Sequence, residues 1–329
     1  IVVEGSGRDV KRFISELKSN RPPLAKVDSF AANYTRPKGE FKDFRIIKSA
    51  RVQEITGSVV PPDISICQGC LKDLRDRSNR RHEYFFITCT DCGPRYTTIR
   101  DTPYDRSNTT MQKFPMCRLC QKEYADPMDR RFHAQTIACV QCGPKVYLTD
   151  KEGGLVRSDD PIRDASRLLD EGYILAIKGN GGFHIASATT RDGPIFRLRR
   201  TKHRAQKPFA IMARDLETIE SFAYVNAREA ALLESYAKPI VLLRKRKESC
   251  LSDLIAPGLF NVGVMLPYTG LHFMLFERAK EPAFIMTSGN PPDEPIATGN
   301  SEALKKLGPD VDYFLFHDRD IAQRCDDSV

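Results

Sequence analysis

The chain has 329 residues, of which 41 % are hydrophobic and 29 % are charged, and its formal net charge is +8. This length accommodates two or three domains, and the composition is that of a globular protein. No apolar run approaches the roughly 18 residues of a membrane-spanning segment, so we expect no transmembrane helix. The basic excess is compatible with anionic ligands such as nucleotides, and also with nucleic acid.

The ends of the chain predict a fragment. It lacks an initiator Met, begins with the strand-like stretch IVVEG and ends with RCDDSV, without a helix or turn signal. Eight of its ten cysteines lie in C-x-x-C pairs, and no signal peptide precedes them. These features favour a cytoplasmic metal protein over a disulfide-bonded secreted one.

Residues 1–35 are typical of the tail of a small α/β unit. Apolar Val10, Phe13, Ile14 and Leu17 recur at helical spacing within residues 9–18, and a proline pair at 22–23 ends that helix. Residues 36–60 are expected to be a linker.

Residues 61–147 contain an internal repeat. The pairs Cys67/Cys70 and Cys89/Cys92 are separated by 18 residues, and Cys117/Cys120 and Cys139/Cys142 repeat that spacing fifty residues later. A glycine follows each second pair and suits the tight turn of a metal knuckle. Both copies have an Arg-rich middle segment, interpreted either as a solvated surface or as a nucleic-acid contact.

The spacing of the cysteines predicts two structural zinc ions. Two C-x-x-C knuckles about 15–20 residues apart place four thiolates around one tetrahedral ion, and four cysteines leave no open coordination position for catalysis. Disulfides or a redox C-x-x-C are the alternative. The predicted ligands are Cys67, Cys70, Cys89, Cys92, Cys117, Cys120, Cys139 and Cys142.

Residues 155–329 alternate between short apolar runs and helical patterns. The predicted strands are YILAIK (173–178), FAIMA (209–213), PIVLL (239–243), VGVMLP (262–267), AFIMT (283–287) and YFLFH (313–317). Such alternation predicts an α/β domain with a sheet buried on both faces. We expect a mixed sheet, because several connections are too short for full crossovers.

Two stretches of this domain predict a phosphate site. RLRRTKHRAQKP (197–208) carries six Lys or Arg and no acid, and is expected to be a helix ended by Pro208. Converging cations of this kind suit a polyphosphate. MTSGNPPDEP (286–295) follows a strand and offers short hydroxyl and amide groups, although an ordinary turn has the same composition.

Four motifs together resemble the YrdC-like domain: KGNGGFH, RLRRTKHRAQKPFAIM, LPYTGLHFML and MTSGNPPDEPI. The preceding cysteine repeat, with PYDRSNTTM and DRRFHAQTIACVQCGP, resembles the HypF family, the carbamoyltransferases of nickel–iron hydrogenase maturation. This resemblance implies a partial acylphosphatase-like domain at 1–35, two four-cysteine modules and a YrdC-like mixed twisted sheet with helices that binds ATP and a carbamoyl group.

The resemblance also implies site residues. The nucleotide tetrad of the family corresponds to Lys202, Arg204, Ser288 and Asn290, with Lys202 and Arg204 as the catalytic cations. Lys207 and Thr287 adjoin these motifs. Four residues with less defined roles lie in stretches that line the same cavity: Lys178, Thr269, His272 and Arg324.

The implied reaction is the adenylation of carbamate, derived from carbamoyl phosphate, by ATP and Mg²⁺. It gives carbamoyl-AMP and pyrophosphate, and the carbamoyl group then passes to a cysteine of the partner HypE. We expect neither nucleic acid nor a membrane as a partner. The alternatives are a threonylcarbamoyl-adenylate synthase, which shares the YrdC-like domain, and a zinc-ribbon RNA-binding module.

Overall fold

The computed structural model describes residues 1–20, 29–39 and 60–329, together with residues 25, 27, 41 and 43. The chain divides into two compact units, residues 1–59 and 60–329. None of the described helices is long and apolar enough to cross a membrane. The domain boundaries at residues 35, 60, 147 and 155 stay predictions, because both cysteine modules and the sheet belong to one unit.

The first unit contains helix α1 (Gly7–Ser19), as the apolar spacing predicts. Its N-cap is Ser6, whose hydroxyl accepts the amide N–H of Asp9 at 3.2 Å. The expectation of a strand in residues 1–5 is wrong: these residues adopt no strand in the described structure. A strand requires a hydrogen-bonded neighbour, and Ile1, Val2 and Val3 are exposed instead. The predicted helix stop at Arg21-Pro22-Pro23 and most of the linker lie outside the described residues.

The second unit is built from eight α-helices and nine strands within the described residues, together with five short 3-10 helices. The helices are α2 (Gln68–Arg75), α3 (Arg118–Ala125), α4 (Pro161–Glu171), α5 (Asp192–Thr201), α6 (Leu216–Phe222), α7 (Ala227–Glu234), α8 (Gly270–Arg278) and α9 (Asn300–Leu307). The strands are β1 (Val146–Asp150), β2 (Leu175–Lys178), β3 (Phe183–Ala188), β4 (Ile211–Ala213), β5 (Ala223–Tyr224), β6 (Val241–Lys245), β7 (Asn261–Met265), β8 (Ala283–Ser288) and β9 (Tyr313–His317).

The strands form one mixed sheet in the order β1-β9-β2-β3-β8-β4-β7-β6-β5. β2 pairs with β9 and β4 with β7 in parallel, and the other neighbours are antiparallel. The predicted mixed α/β fold is therefore confirmed. Strands β2, β3 and β4 are buried over their whole length, as expected for strands that are covered on both faces of the sheet.

The core lies between the central strands and the helices that cover them. Its fully buried members include Ile185, Leu198, Phe209, Ile211, Val264, Ile285 and Phe314. Helix α4 ends at Gly172, whose φ of +93° is the left-handed conformation that glycine adopts readily. Asn226 caps α7 in a capping box with Glu229.

The predicted helix over residues 197–208 is too long. Helix α5 ends at Thr201, and His203 has a φ of +48°, which reverses the chain well before Pro208. The guanidinium of Arg199 holds this turn by donating to the backbone carbonyls of Arg204, Ala205 and Lys207. Lys202 and Arg204 therefore lie in a loop after the helix, not on its faces.

Candidate metal centres and candidate active site

The eight predicted cysteines form two separate clusters. One contains Cys67, Cys70, Cys89 and Cys92, the other Cys117, Cys120, Cys139 and Cys142, and within each cluster all sulfurs lie within 4.8 Å of one another. Five Sγ–Sγ distances between cysteines of the same cluster are 3.6–3.8 Å. A tetrahedral zinc ion with Zn–S bonds of about 2.3 Å requires edges of about 3.8 Å, whereas a disulfide bond is about 2.05 Å long. The geometry fits zinc and excludes disulfides in this structure.

The first knuckle of each cluster begins a helix. Cys67 is the N-cap of α2, and its sulfur accepts the amide N–H of Cys70 at 3.4 Å. Cys117 is the N-cap of α3. Since the first turn of a helix presents unpaired amide groups, it stabilises negative charge on the thiolates that lie beside it.

The two knuckle glycines differ in what they do. Gly93 has a φ of +101°, as a tight turn predicts, but Gly143 does not adopt a left-handed conformation. At Gly143 a Cβ atom would lie 2.0 Å from the hydroxyl oxygen of Tyr84 and 2.4 Å from the Cβ of Ala138. Gly143 is therefore required by close packing between the two modules.

One arginine of each Arg-rich middle segment is buried, although Arg75 and Arg77 of the first segment are exposed. Arg81 and Arg131 are only 1 % and 5 % exposed, and each pairs with an acidic residue of the other module, Glu123 and Asp73 respectively. The guanidinium groups of Arg81 and Arg131 make contacts inside the protein and are therefore not accessible to nucleic-acid phosphates.

Lys202 and the turn after β8 form the centre of the candidate active site. The ammonium group of Lys202 donates to the carbonyl oxygens of Ser288 at 2.6 Å and Asn290 at 3.1 Å, and to Asn290 Oδ1 at 3.3 Å. The Ser288 hydroxyl donates to the same Oδ1 at 2.7 Å. Burial lowers the pKa of Lys202 to about 8, and the positive charge of Arg204 adds to the shift.

Arg204 joins this site through Thr287, whose hydroxyl accepts from the Arg204 guanidinium at 3.1 Å. The two stretches that predict a phosphate site therefore meet, because the end of β8 and the turn after it lie beside the loop that follows α5. Lys207 is exposed in the same loop, and its charge lowers the pKa of Lys202 slightly.

Lys178 lies at the end of β2 in a separate group of contacts. Its ammonium donates to Asn300 Oδ1 at 2.5 Å and to the carbonyl oxygen of His317 at 3.1 Å. Burial lowers the pKa of Lys178 to about 7, with the charge of Arg319 contributing. Arg324 is exposed near the C-terminal end, and its Nε donates to the carbonyl oxygen of Ile296 at 2.7 Å.

Thr269 and His272 are placed by the start of α8. Thr269 is the N-cap, and its hydroxyl accepts the amide N–H of His272 at 3.3 Å. The His272 ring is fully buried, and neither ring nitrogen has a hydrogen-bond partner among the described residues. Burial lowers the pKa of His272 to about 3, so the ring is neutral.

His184 was not predicted as a site residue, yet it lies beside Ser288. The two are direct partners in the ladder between β3 and β8, which directs their side chains to the same face of the sheet. His184 Nε2 lies 2.9 Å from Asp327 Oδ2, and the His184 and His272 ring centroids are 6.3 Å apart. Burial opposes the charged form of His184, but the Asp327 carboxylate outweighs it and raises the pKa.

Comparison with known families agrees with this architecture. Residues 66–99 and 116–149 match the family described as the HypF finger. Residues 167–329 match the Sua5, YciO and YrdC family, which is described as telomere recombination.

Relatives extend the similarity to the whole chain. The chain is 46 % identical to a probable carbamoyltransferase HypF of Methanocaldococcus jannaschii and 45 % identical to the carbamoyltransferase HypF of Synechocystis, covering 43 % and 42 % of those proteins. A crystal structure of full-length HypF in the phosphate- and nucleotide-bound form matches 98 % of the chain with a TM-score of 0.91 and 45 % identity, over 42 % of its own length. The HypF of T. kodakarensis matches all of the chain with the same TM-score. The chain thus spans about two-fifths of the length of these relatives, and it belongs to the HypF family.

Proposed function

We propose that this chain performs the adenylation step of a carbamoyltransferase of hydrogenase maturation. Carbamate, derived from carbamoyl phosphate, would react with ATP to give carbamoyl-AMP and pyrophosphate. The observation that supports this most strongly is the convergence of the Lys202 ammonium on the turn between Ser288 and Asn290. The matched relatives are named carbamoyltransferases, and one solved relative is described as nucleotide-bound.

In this reaction a carbamate oxygen attacks the α-phosphorus of ATP, and the bond between that phosphorus and the leaving pyrophosphate oxygen breaks. Negative charge grows on the phosphate oxygens, where Lys202 and Arg204 would stabilise it. Ser288 and Asn290 would hold the phosphates through hydrogen bonds, and exposed Lys207 would meet the outer phosphates. These residues mainly position the phosphates of ATP and neutralise their negative charge.

Mg²⁺ would arrive with ATP and supply charge neutralisation at the phosphates. Among the described residues, the two cysteine clusters are the places where three or more potential ligand side chains meet. Mg²⁺ is commonly bound by one or two carboxylates together with substrate phosphates and water. We therefore propose that ATP itself provides most of its ligands here, and that the cysteine clusters hold structural zinc.

The buried imidazoles of His184 and His272 suggest where the small substrate binds. Three of their ring nitrogens have no hydrogen-bond partner among the described residues, whereas buried polar groups are ordinarily hydrogen-bonded. A small polar molecule beside Ser288 would satisfy them, so we place carbamate there. The remaining residues that we propose to line the ligand cavity of this domain are Thr269, Thr287, Lys178 and Arg324.

The later steps are proposed on the resemblance to HypF proteins. The carbamoyl group would pass from carbamoyl-AMP to a cysteine of HypE, and the reaction would take place in the cytoplasm.

The test is pyrophosphate release from ATP and Mg²⁺ with ammonium bicarbonate as the source of carbamate. We expect release by the intact chain, and its loss in Lys202→Ala, while the zinc content stays at two ions per chain. Lys247→Ala removes an exposed lysine and should behave as the intact chain does.

Two results would contradict the proposal. Release that requires threonine would assign the chain to threonylcarbamoyl-adenylate synthesis, and undiminished release by Lys202→Ala would remove the lysine from the site. A calorimetric titration with ATP tests the nucleotide site without any supply of carbamate. Absence of ATP binding by the intact chain would therefore also count against the proposal.

A further inference from the structure

Each cysteine module carries an arginine pair that crosses to the other module. Arg80 belongs to the first module, but its Nη2 atom lies 3.3, 3.3 and 3.1 Å from the sulfurs of Cys117, Cys120 and Cys139. Its Nη1 atom donates to Glu123 at 2.9 Å. The guanidinium of Arg80 thus faces the metal centre of the second module.

The equivalent arginine of the second module makes the reciprocal contact. Arg130 lies fifty residues after Arg80, and its Nη1 atom is 3.2 Å from the sulfur of Cys70. Its Nη2 atom donates to the carbonyl oxygen of Gly69 at 3.0 Å and also pairs with Asp73. Asp73 and Glu123 are themselves equivalent positions, since each follows the first cysteine of its module by six residues.

The second arginine of each pair crosses in the same way. Arg81 Nε donates to the carbonyl oxygen of Ala138 at 2.8 Å, and Arg131 Nε donates to that of Thr88 at 3.1 Å. Thr88 and Ala138 immediately precede the third cysteine of their modules. Each of these contacts between the modules therefore occurs twice, as expected for two copies related by an approximate two-fold axis.

Charge explains why these contacts matter to the metal. A zinc ion with four thiolates carries a net charge of −2, and the sulfurs here are largely buried. Buried charge is costly unless it is compensated by hydrogen bonds and opposite charge. Arg80 and Arg130 place such donors against the sulfurs, and Glu123 and Asp73 fix the orientation of each guanidinium.

From this reciprocal arrangement we infer that the two four-cysteine sites form one coupled metal unit. Each arginine pair is the outer shell of the zinc site in the opposite module. Removing an arginine from one module therefore weakens zinc binding in the other. The inference concerns the metal sites alone and does not depend on the proposed adenylation reaction.

The experiment compares Arg130→Gln and Arg80→Gln in the zinc-loaded chain. Each variant is exposed to a competing chelator and an alkylating reagent, and the modified cysteines are located by peptide mass spectrometry. Arg130→Gln should accelerate alkylation of the first-module cysteines, and Arg80→Gln that of the second-module cysteines. The expected change is about ten-fold or more, the usual effect of an outer-shell residue on metal affinity.

Matched controls remove exposed arginines of the same modules, Arg77→Gln in the first and Arg118→Gln in the second. In both controls the cysteines should be alkylated at the same rate as in the parent chain. Where a Gln variant does not fold, Arg130→Lys and Arg80→Lys replace it, and these should show the same crossed pattern at reduced size. Accelerated alkylation within the substituted module, or rates equal to those of the controls, would overturn the inference.

Discussion

Lys202 combines a buried ammonium group with a pKa of about 8, so nucleotide binding should depend on pH. The free protein loses this proton as the pH rises through 8, whereas a polyphosphate binds the protonated form and raises its pKa. Affinity for ATP should therefore fall between pH 8 and 9.5, by up to about ten-fold per pH unit for one linked proton. Calorimetry at pH 8 in two buffers of different ionisation enthalpy should report proton uptake on binding.

The groups that act on the Lys202 charge are Arg204 and Lys207, which lower its pKa, and Asp310, which raises it. Proton uptake should remain in Asp310→Asn and disappear in Lys202→Arg, because an arginine does not titrate in this range. An ATP affinity that is constant from pH 7 to 9.5 would show that the Lys202 ammonium does not meet the phosphates.

The sequence located Lys202, Arg204, Ser288 and Asn290 through motifs, and the structure brings these four residues together. The sequence did not identify His184 as a site residue, although His184 is the last residue of the glycine-rich stretch KGNGGFH. The position of His184 depends on its register opposite Ser288, about a hundred residues further along the chain. Such pairing is fixed by the tertiary arrangement of β3 and β8 and leaves no local signal.

At the scale of single elements, the knuckle containing Gly143 is where close packing restricts the sequence most. Gly143→Ala would place a methyl group 2.0 Å from the Tyr84 hydroxyl and 2.4 Å from the Ala138 side chain. Relief requires the Tyr84 ring of the first module and the Ala138 segment of the second to shift, at a cost of about 1–3 kcal/mol in the free energy of unfolding. A lower midpoint of urea unfolding would show this, with Val140→Ala, an exposed site in the same knuckle, as the control.

An unchanged midpoint in Gly143→Ala would mean that Tyr84 moves aside without loss. The phenol is buried, and its hydroxyl donates to the carbonyl oxygen of Pro144 at 3.4 Å. We therefore expect the accompanying substitution Tyr84→Phe to relieve part of the cost, because it removes the nearer of the two clashing atoms.

The accuracy of the predicted elements follows from how strongly local sequence determines them. The six predicted strands are all present, because each contains a short apolar run; most of these runs are buried, but β6 buries only Leu243. β3 (Phe183–Ala188) was missed, since its sequence FHIASA contains Ala, Ser and His and its burial is imposed by neighbouring strands. The predicted helix over 197–208 was too long because its end is set by the contacts of Arg199 with the following loop.

At the scale of the whole molecule, the first cysteine module is built onto the α/β domain. The amide N–H of Ile66 donates to the carbonyl oxygen of Tyr268 at 2.9 Å, and Arg278 pairs with Glu83 at 2.8 Å. At Gly270 a Cβ atom would lie 2.5 Å from the carbonyl oxygen of Phe85. The module therefore packs directly against both ends of α8, the helix whose first turn carries His272.

Metal removal should consequently loosen α8 and spare distant parts of the sheet. Four-cysteine modules depend on zinc for their fold, so a zinc-stripped chain loses the contacts of Phe85 and Glu83 with this helix. Hydrogen exchange measured by mass spectrometry should become faster in Gly270–Arg278 and return to its original rate when zinc is restored. In α6 (Leu216–Phe222), which packs on β4 and β5, exchange should not change. Equal protection of α8 with and without zinc would show that the α/β domain holds its candidate site without help from the metal modules.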